Sequence, residues 1–258
     1  MRIDQLLVER GLAASRSQAQ RLIAAGVRWR PLGGDWRAVA KNRDEVPEGA
    51  QLQLQDDAEA RYVSRGGLKL EGALRATGLQ VQGLRCLDVG QSTGGFTDCL
   101  LQQGAAQVVG IDVGHSQLHP RIQADERVVC IEGVNARELS ANDARIPDAE
   151  KGFDLLVGDV SFISLTLVLP GVVPLLKPGG TLLMLVKPQF ELQPGQVGKG
   201  GIVRDASLYA LVEQRIRTAL AELGLQVQAW LDSPIEGGDG NREFFVQAKN
   251  LPTEGEAR

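Results

Sequence analysis

The segment Leu87-Asp-Val-Gly-Gln-Ser-Thr-Gly-Gly-Phe-Thr97 decides the fold class of this 258-residue chain. The apolar run at 84–89 predicts a buried strand, and residues 96–103 predict a helix directly after the glycine-rich turn. Open α/β sheets hold nucleotide-like ligands at such a turn, at the carboxyl end of a strand. The sequence therefore predicts a ligand site here, with a purely structural strand-to-helix connection as the alternative.

The composition of the turn narrows the choice of ligand. No Lys-Ser or Lys-Thr pair follows Gly94 and Gly95, as a phosphate-binding P-loop requires. Gly90, Gly94 and Gly95 also lack the spacing of the dinucleotide fingerprint. An acid, Asp88, stands just before Gly90, and an acidic loop suits a cationic ligand better than a pyrophosphate. S-adenosylmethionine carries a sulfonium and an ammonium group and no phosphate, so we expect it to dock beside Asp88.

Strands and helices alternate after this turn. Further strands are predicted at 107–112, 127–132, 153–159 and 181–187, and helices at 68–77, 163–176 and 205–223. This alternation predicts a mostly parallel α/β sheet. Leu225–Leu231 and Phe244–Ala248 have no helical pattern between them, which favours an antiparallel end. The sequence thus predicts a Rossmann-like, seven-stranded class I S-adenosylmethionine-dependent methyltransferase fold with an antiparallel terminal strand.

Polar residues follow the predicted strands at the edge where a ligand would lie. Asp112 ends the strand at 107–112, and an acid there can accept both hydroxyls of a ribose. Asn135 follows the next strand and can hydrogen-bond an adenine edge, although a surface acid or a helix cap explains such residues equally well. We expect the cofactor site to comprise Asp88, Gly90, Ser92, Gly94, Gly95, Phe96, Asp112, Asn135 and Asp159.

The first 60 or so residues predict a small, separate α+β unit. Ile3, Leu6 and Leu7 form one apolar helical face that ends at Gly11. The run Ser15-Arg-Ser-Gln18 predicts a capping box that opens a second helix, and short strands and turns are expected from Val27 to Leu54. We expect domains at 1–60 and 61–258, joined by a polar linker at about 56–63.

The charge of this unit predicts contact with nucleic acid. Residues 1–43 hold nine Lys or Arg and three Asp or Glu, whereas residues 44–60 hold six acids and no bases. A basic module joined to a neutral or acidic enzyme is a common footprint of RNA binding, and the alternative is a solvated helix surface. The arginines expected to contact RNA are Arg2, Arg10, Arg16, Arg21, Arg28, Arg30 and Arg65.

Several function classes are disfavoured. The amino terminus has mixed charge and no apolar signal core, and the apolar stretches at 165–176 and 181–186 are too short or too Pro-interrupted to span a bilayer. Cys86, Cys99 and Cys130 have no metal spacing and predict buried free thiols in a reducing cytosol. His115 and His119 have few candidate partners with which to form a metal site. We therefore expect a cytoplasmic protein without membrane or metal, and the oligomeric state stays open.

The chain resembles the TlyA family, RNA 2′-O-methyltransferases that were formerly labelled hemolysins. Besides the glycine turn, the segments that carry the resemblance are Arg2–Leu12, Ser15–Ile23, Tyr62–Leu70, Gly158–Leu165, Val186–Glu191, Gly198–Asp205 and Gly240–Phe244. Two positions depart from the family pattern. Val27-Arg-Trp-Arg-Pro-Leu-Gly-Gly-Asp-Trp36 replaces a short Val-Asn-Gly turn, and Gln91 stands where Ala is common.

The resemblance implies a ribosomal-protein-S4-like RNA-binding module followed by an FtsJ-like methyltransferase domain. It also implies a Lys–Asp–Lys–Glu tetrad, here Lys69, Asp159, Lys187 and Glu243, that acts on a ribose 2′-hydroxyl of ribosomal RNA or ribosomal subunits. A ribose hydroxyl needs a base to remove its proton, and an amine serves only when neutral, a form that burial and a neighbouring ammonium both favour. We expect Lys187 to be the base and Lys69 a positioner, with the reverse assignment open.

Three other functions compete with this prediction. A membrane-active hemolysin is what older labels of similar chains indicate, but no strong amphipathic helix with a Trp or Phe face is present. A non-catalytic RNA-binding or ribosome assembly factor would not need the lysine and acid set. An NAD-linked enzyme is disfavoured by the glycine spacing and by the closing strand pair.

Overall fold

The computed structural model describes residues 1–13, 15–54 and 60–251, so the predicted linker at 56–63 lies partly outside the described residues. The chain divides into two compact units, Met1–Leu68 and Lys69–Arg258. The first contains α1 (Ile3–Glu9), α2 (Arg16–Gly26), β1 (Val27–Arg30), β2 (Arg37–Ala38) and β3 (Gln51–Leu54). Its strands form an antiparallel sheet in the order β2-β1-β3.

Both helices predicted near the amino terminus are present, and the residues that predicted them make the expected packing and capping contacts. The fully buried side chains of Ile3 and Leu7 pack with the buried face of α2 in one apolar core. The Ser15 hydroxyl accepts a hydrogen bond from the backbone N–H of Gln18 at 3.2 Å, which caps α2. The backbone of Gly11 turns through a positive φ of 68° after α1, a conformation that glycine adopts without strain.

The second unit is a seven-stranded sheet with helices between its strands. The chain order is α3 (Gly66–Thr77, which runs across the division between the units), β4 (Arg85–Val89), α4 (Gly95–Gln102), β5 (Gln107–Asp112), α5 (Pro120–Gln123), β6 (Val128–Glu132), β7 (Phe153–Gly158), α6 (Leu165–Val172), β8 (Leu176–Val186), α7 (Pro188–Glu191), α8 (Leu208–Glu222), β9 (Leu225–Asp232) and β10 (Phe244–Asn250). The strand order is β6-β5-β4-β7-β8-β10-β9.

The predicted mostly parallel sheet with an antiparallel end is confirmed. Strands β4 to β8 pair in parallel, and β10 runs antiparallel to both β8 and β9. Most residues of the central strands are buried and apolar because helices cover both faces of a parallel sheet, and Asp88 is a buried acid among them. The carboxyl ends of β4, β5 and β7 therefore meet at one edge, where the glycine turn lies.

Three local predictions were wrong. The helix expected at 163–176 ends at Val172, and β8 begins at Leu176 instead of Thr181. The helix accommodates Pro170, but Pro174 lacks the backbone N–H that a further helical hydrogen bond requires. Cys130 is exposed, whereas Cys86 and Cys99 are buried as expected. It lies on β6, the edge strand of the sheet, which has a neighbour on one side only.

Candidate active site

The glycine turn is held against the end of the neighbouring strand. The backbone N–H groups of Gly90 and Gln91 donate to the Ile111 carbonyl at 2.9 and 3.1 Å, and the Ser92 N–H donates to the Asp112 carboxylate at 2.7 Å. Gly90 has a φ of 80°, and a Cβ there would lie 2.8 Å from the Asp159 carbonyl oxygen. Only glycine therefore allows the turn to approach the end of β7 this closely.

A cavity of about 540 Å³ opens above these strand ends, and we call it the strand-end cavity. Among the residues predicted for the cofactor site, it is lined by Gly90, Ser92, Asp112, Asn135 and Asp159. Apolar side chains of β5 and of the segments after β6 and β7 complete the walls. An apolar cleft with a few convergent polar groups at a sheet edge has the composition of a small-molecule site.

Four other predicted cofactor residues lie outside the lining of this cavity. Asp88 is fully buried and accepts a hydrogen bond from the Thr97 hydroxyl at 2.6 Å, so its carboxylate anchors α4. Gly94 and Gly95 form the start of that helix, and Phe96 is buried against the Phe245 ring at a centroid distance of 6.1 Å. Asp88 is thus buried beneath the helix that follows the turn and does not line the strand-end cavity, and its direct contact with the cation of the cofactor stays a prediction.

The unusual Gln91 belongs to the same buried network. Its side-chain amide donates to the Thr97 hydroxyl at 2.9 Å, and only 3% of Gln91 is exposed. A Cβ on Gly110 would lie 1.9 Å from the Gln91 side-chain carbon, so glycine in β5 provides the room for glutamine. Burial raises the pKa of Asp88 to about 7, against hydrogen bonds from Thr97 that lower it.

A second cavity of about 450 Å³, the lysine cavity, is lined by three of the four residues of the predicted tetrad. Lys69, Lys187 and Glu243 line it, together with Ser161, Phe162, Gln189, Phe190, Gly200, Gly201, Gly238 and Asp239. The Lys69 ammonium lies 2.6 Å from the Glu243 carboxylate. The Lys187 ammonium lies 2.5 Å from Asp159, which lines the strand-end cavity, and donates to the Ser161 hydroxyl at 2.7 Å.

The tetrad is thus two ion pairs in a largely dry site. Lys69 and Glu243 are 7% and 3% exposed. Burial raises the pKa of Glu243, although the charges of Lys69 and Lys187 act in the opposite direction. Because the charges of Lys187 and Asp159 also reach Glu243, the two pairs form one electrostatic unit.

The two cavities share one wall, formed by Ser161 and Phe162. Phe162 is 91% exposed and has a φ of 63°, a conformation that costs a bulky residue energy. Its ring lies 5.2 Å from the ring of Phe190, at an angle of 47°. An exposed aromatic residue held in a strained conformation beside two ion pairs is a candidate contact for a planar ligand.

Sequence reasoning missed the residues that support this wall. Glu191 is 4% exposed, and its carboxylate accepts hydrogen bonds from the Ser164 hydroxyl and the Leu165 N–H, both at 2.6 Å. It thereby ties the segment after β8, which carries Lys187, to the segment after β7. Glu191 was quoted only as part of the segment Val186–Glu191, and no periodicity distinguishes a buried acid there.

The arginines predicted to contact RNA divide into two groups. Arg2 and Arg16 form ion pairs with the fully buried Asp4 at 2.7 and 3.1 Å, and Arg10 donates to the carbonyls of Glu48 and Ala50. These three side chains therefore have structural partners within the first unit. The others are half-buried and comprise Arg21, Arg28, Arg30 and Arg65.

The insertion after α2 brings arginines and tryptophans together. The Arg30 guanidinium lies over the Trp36 ring at 4.7 Å, and that of Arg37 lies over the Trp29 ring at 5.4 Å. Trp29 also packs against the core of the first unit.

None of the helices in the described part of the chain has the length and apolar character needed to cross a membrane. Within residues 1–13, 15–54 and 60–251, no group of three or more His, Cys, Asp and Glu side chains is placed to hold a metal ion.

The fold and the strand-end cavity define the class of protein. The family model for FtsJ-like methyltransferases matches residues 62–250, and the model for the S4 domain matches residues 1–26. The chain belongs to the FtsJ-like methyltransferase family.

Individual relatives resemble the chain over most of its length. The 16S/23S rRNA (cytidine-2′-O)-methyltransferase TlyA of Mycobacterium tuberculosis is 44% identical, over 95% of this chain and 88% of that protein. Hemolysin A of Brachyspira hyodysenteriae is 38% identical, over 95% of this chain and 98% of that protein. A solved structure from Streptococcus thermophilus, named as a candidate hemolysin, has a TM-score of 0.73 at 38% identity and covers 98% of this chain and 89% of its own.

Proposed function

We propose that this protein transfers a methyl group from S-adenosylmethionine to a ribose 2′-hydroxyl in ribosomal RNA, using Lys69, Asp159, Lys187 and Glu243. One observation supports this most strongly: the Lys187–Asp159 ion pair stands where the strand-end cavity and the lysine cavity share a wall. Methyl transfer requires a donor and an acceptor that meet in line, and two adjoining cavities provide for that arrangement. The similarity to the 16S/23S rRNA (cytidine-2′-O)-methyltransferase TlyA of Mycobacterium tuberculosis supports ribosomal RNA as the substrate class.

The strand-end cavity fits S-adenosylmethionine by its chemistry. Asp112 presents a carboxylate at the end of β5, suited to ribose hydroxyls, and Asn135 follows β6 with an amide suited to an adenine edge. The close approach of Gly90 to the end of β7 keeps the floor free of side chains. When bound, this cofactor supplies an activated methyl group. No phosphate partner is needed, which agrees with the lack of a cation in the turn.

In the lysine cavity, Lys187 is the group that accepts the proton from the 2′-hydroxyl. An amine accepts this proton only in its neutral form, so Lys187 enters the reaction after it has released a proton to solvent. Asp159 and Ser161 then hold the ammonium that forms again as the oxygen acquires its methyl group. Lys69, held by its ion pair with Glu243, orients the hydroxyl. The positive charge of Lys69 also repels other positive charges in the cavity. Phe162 offers an exposed ring on which the target base can stack.

We further propose that residues 1–60 contact RNA. The match of the S4 domain to residues 1–26 supports this, as do the basic side chains of β1 and the insertion that follows it. Arg28 is a better candidate for a phosphate contact than Arg2, Arg10 and Arg16, whose guanidinium groups already have partners within the unit. Arg30 is likewise held, by the Gln51 side chain and the Trp36 ring. A ribose 2′-hydroxyl as acceptor restricts the substrate to RNA.

The proposal is tested by transfer of radiolabelled methyl groups from S-adenosylmethionine to ribosomal subunits from cells that lack this gene. The wild-type protein should label the RNA, and Lys187→Ala and Lys69→Ala should abolish labelling while cofactor binding stays near wild type. A protein that binds ribosomal RNA but transfers no methyl group would instead be a binding or assembly factor. Full activity of both variants would refute the assigned tetrad.

A further inference from the structure

The mouth of the lysine cavity is bordered by bare backbone. Gly200 and Gly201 contribute from the loop after α7, and Gly238 contributes from the segment before β10. A Cβ placed on any of these three glycines would meet no atom within 4 Å. Gly200 and Gly201 have φ values of 80° and 81°, which glycine alone adopts readily. A ligand can therefore approach the main chain closely on both sides of the mouth.

This glycine rim, defined as Gly200, Gly201 and Gly238, is held in place by a buried amide. Asn241, 1% exposed, accepts a hydrogen bond from the Val203 N–H at 2.9 Å and donates to the Gly201 carbonyl at 2.9 Å. Its amide also donates to the Asp239 carboxylate at 2.8 Å. The rim is thus fixed from the segment before β10, which also carries Glu243.

Two cations stand beside the rim. Lys199 lies between Gly198 and Gly200 in the loop, and Lys199 and Arg204 are both exposed. A Cβ on Gly198 would lie 3.7 Å from the Arg204 Nε, so the arginine side chain runs along the same loop. Among the residues that the structure describes, neither side chain has an ion-pair or hydrogen-bond partner.

The charges inside the cavity do not attract phosphate. Two lysines, Lys69 and Lys187, face three carboxylates, those of Asp159, Glu243 and Asp239. Burial acts to raise the pKa of Asp239, but hydrogen bonds from Asn241 hold it below its ordinary value, so this group is anionic at neutral pH. An RNA strand must therefore find its positive partners outside the cavity floor.

We infer that the glycine rim, with Lys199 and Arg204, docks the sugar–phosphate backbone of the RNA strand that carries the target ribose. This inference rests on the proposed function. Bare glycine backbone lets the strand lie close enough for its ribose to enter the cavity, and the two cations neutralise neighbouring phosphates. The rim thus positions the RNA strand that carries the target ribose. This contact is separate from the RNA contacts proposed for the first unit.

The test is the salt dependence of the KM for RNA. Neutralising two phosphate contacts should lower the slope of log KM against log salt by about 1.4, at about 0.7 per contact with a single strand. Lys199→Gln/Arg204→Gln should therefore show a raised KM, a shallower slope and an unchanged kcat. The matched control is Arg145→Gln/Lys151→Gln, two basic residues between β6 and β7 that line neither cavity. It should keep the wild-type slope.

A second comparison tests the bare backbone without changing charge. Gly238 and Gly195 both have open space around a Cβ and no positive φ, but only Gly238 lines the cavity. Gly238→Leu should raise the KM for RNA and leave that for S-adenosylmethionine unchanged, whereas Gly195→Leu should alter neither.

An unchanged salt slope in the Lys199→Gln/Arg204→Gln variant, or a wild-type KM in Gly238→Leu, would overturn the inference while an active wild type upholds the proposed function. A wild type that methylates no RNA would overturn both.

Discussion

Replacing Asp88 by asparagine should remove a pH dependence of stability that one buried carboxyl creates. Burial raises the pKa of this group from 3.8 to about 7 in the folded protein. Between about pH 4 and 7 the folded state therefore retains a proton that the unfolded state has released, and stability falls as pH rises through this window. Within this window the free energy of unfolding falls by about 1.36 kcal/mol per pH unit. The two units from pH 5 to pH 7 therefore give a loss of about 3 kcal/mol between pH 5 and pH 8.

The measurement is chemical unfolding of the wild type and of Asp88→Asn at pH 5 and pH 8. Trp29 and Trp36 belong to the first unit, so replacing both by Phe leaves Trp230, stacked on Phe244, as the fluorescence reporter of the sheet. Relative to the variant, the wild type should lose about 3 kcal/mol of unfolding free energy on going from pH 5 to pH 8.

The control is Asp154→Asn. Burial opposes the shift at Asp154, but hydrogen bonds from Lys177 and Arg85 hold its pKa below 3.8. It is therefore ionised in both folded and unfolded states from pH 5 to 8, and its removal should not change the pH dependence. If Asp88→Asn shows the same pH dependence as the wild type, the buried carboxyl is not protonated and the reasoning is refuted.

Three further outcomes follow from the site. Asp112→Ala should weaken S-adenosylmethionine binding about 10- to 100-fold by calorimetry, because hydrogen bonds to a charged group contribute about 1.5–3 kcal/mol; near-wild-type affinity would remove Asp112 from the cofactor site. Glu191→Ala should lower the unfolding free energy by about 2 kcal/mol, since it leaves the Ser164 hydroxyl and the Leu165 N–H without their acceptor; Glu191→Gln should lose less, and equal losses would contradict this role. The rate of methyl transfer should rise with pH from 6 to 9, because only a neutral amine can accept the proton of the 2′-hydroxyl; a rate that falls across this range would exclude an amine base.

The sheet was predictable because its signals are local. Apolar runs of strand length alternate with helical patterns, and the lack of a helix between Leu225–Leu231 and Phe244–Ala248 identified the antiparallel end. Cys130 was misjudged because the sequence does not reveal that β6 lies at the edge of the sheet. The end of α6 was misjudged because the apolar pattern outweighed Pro174, which lacks the backbone N–H that a longer helix would need there.

How well the site could be predicted depended on how far apart in the sequence its contacting residues lie. Asp112, Asn135 and Asp159 were predicted to lie close together because each ends or follows a strand, and parallel strands bring their carboxyl ends together. All three line the strand-end cavity. The burial of Asp88 was not predicted because the sequence does not show which side of the turn α4 covers. The role of Asn241 in fixing the glycine rim was not predicted, because it depends on hydrogen bonds with Gly201 and Val203. Only the folded chain brings these residues together.

The position of the transferred methyl group is the most direct measure of the central claim. Ribosomal RNA labelled by the purified protein would be digested to nucleosides and analysed by mass spectrometry, with Lys187→Ala as the parallel sample. All label introduced by the wild type should appear in 2′-O-methylribonucleosides, and the variant should introduce none. Label on a nucleobase, or equal labelling by both proteins, would contradict the account.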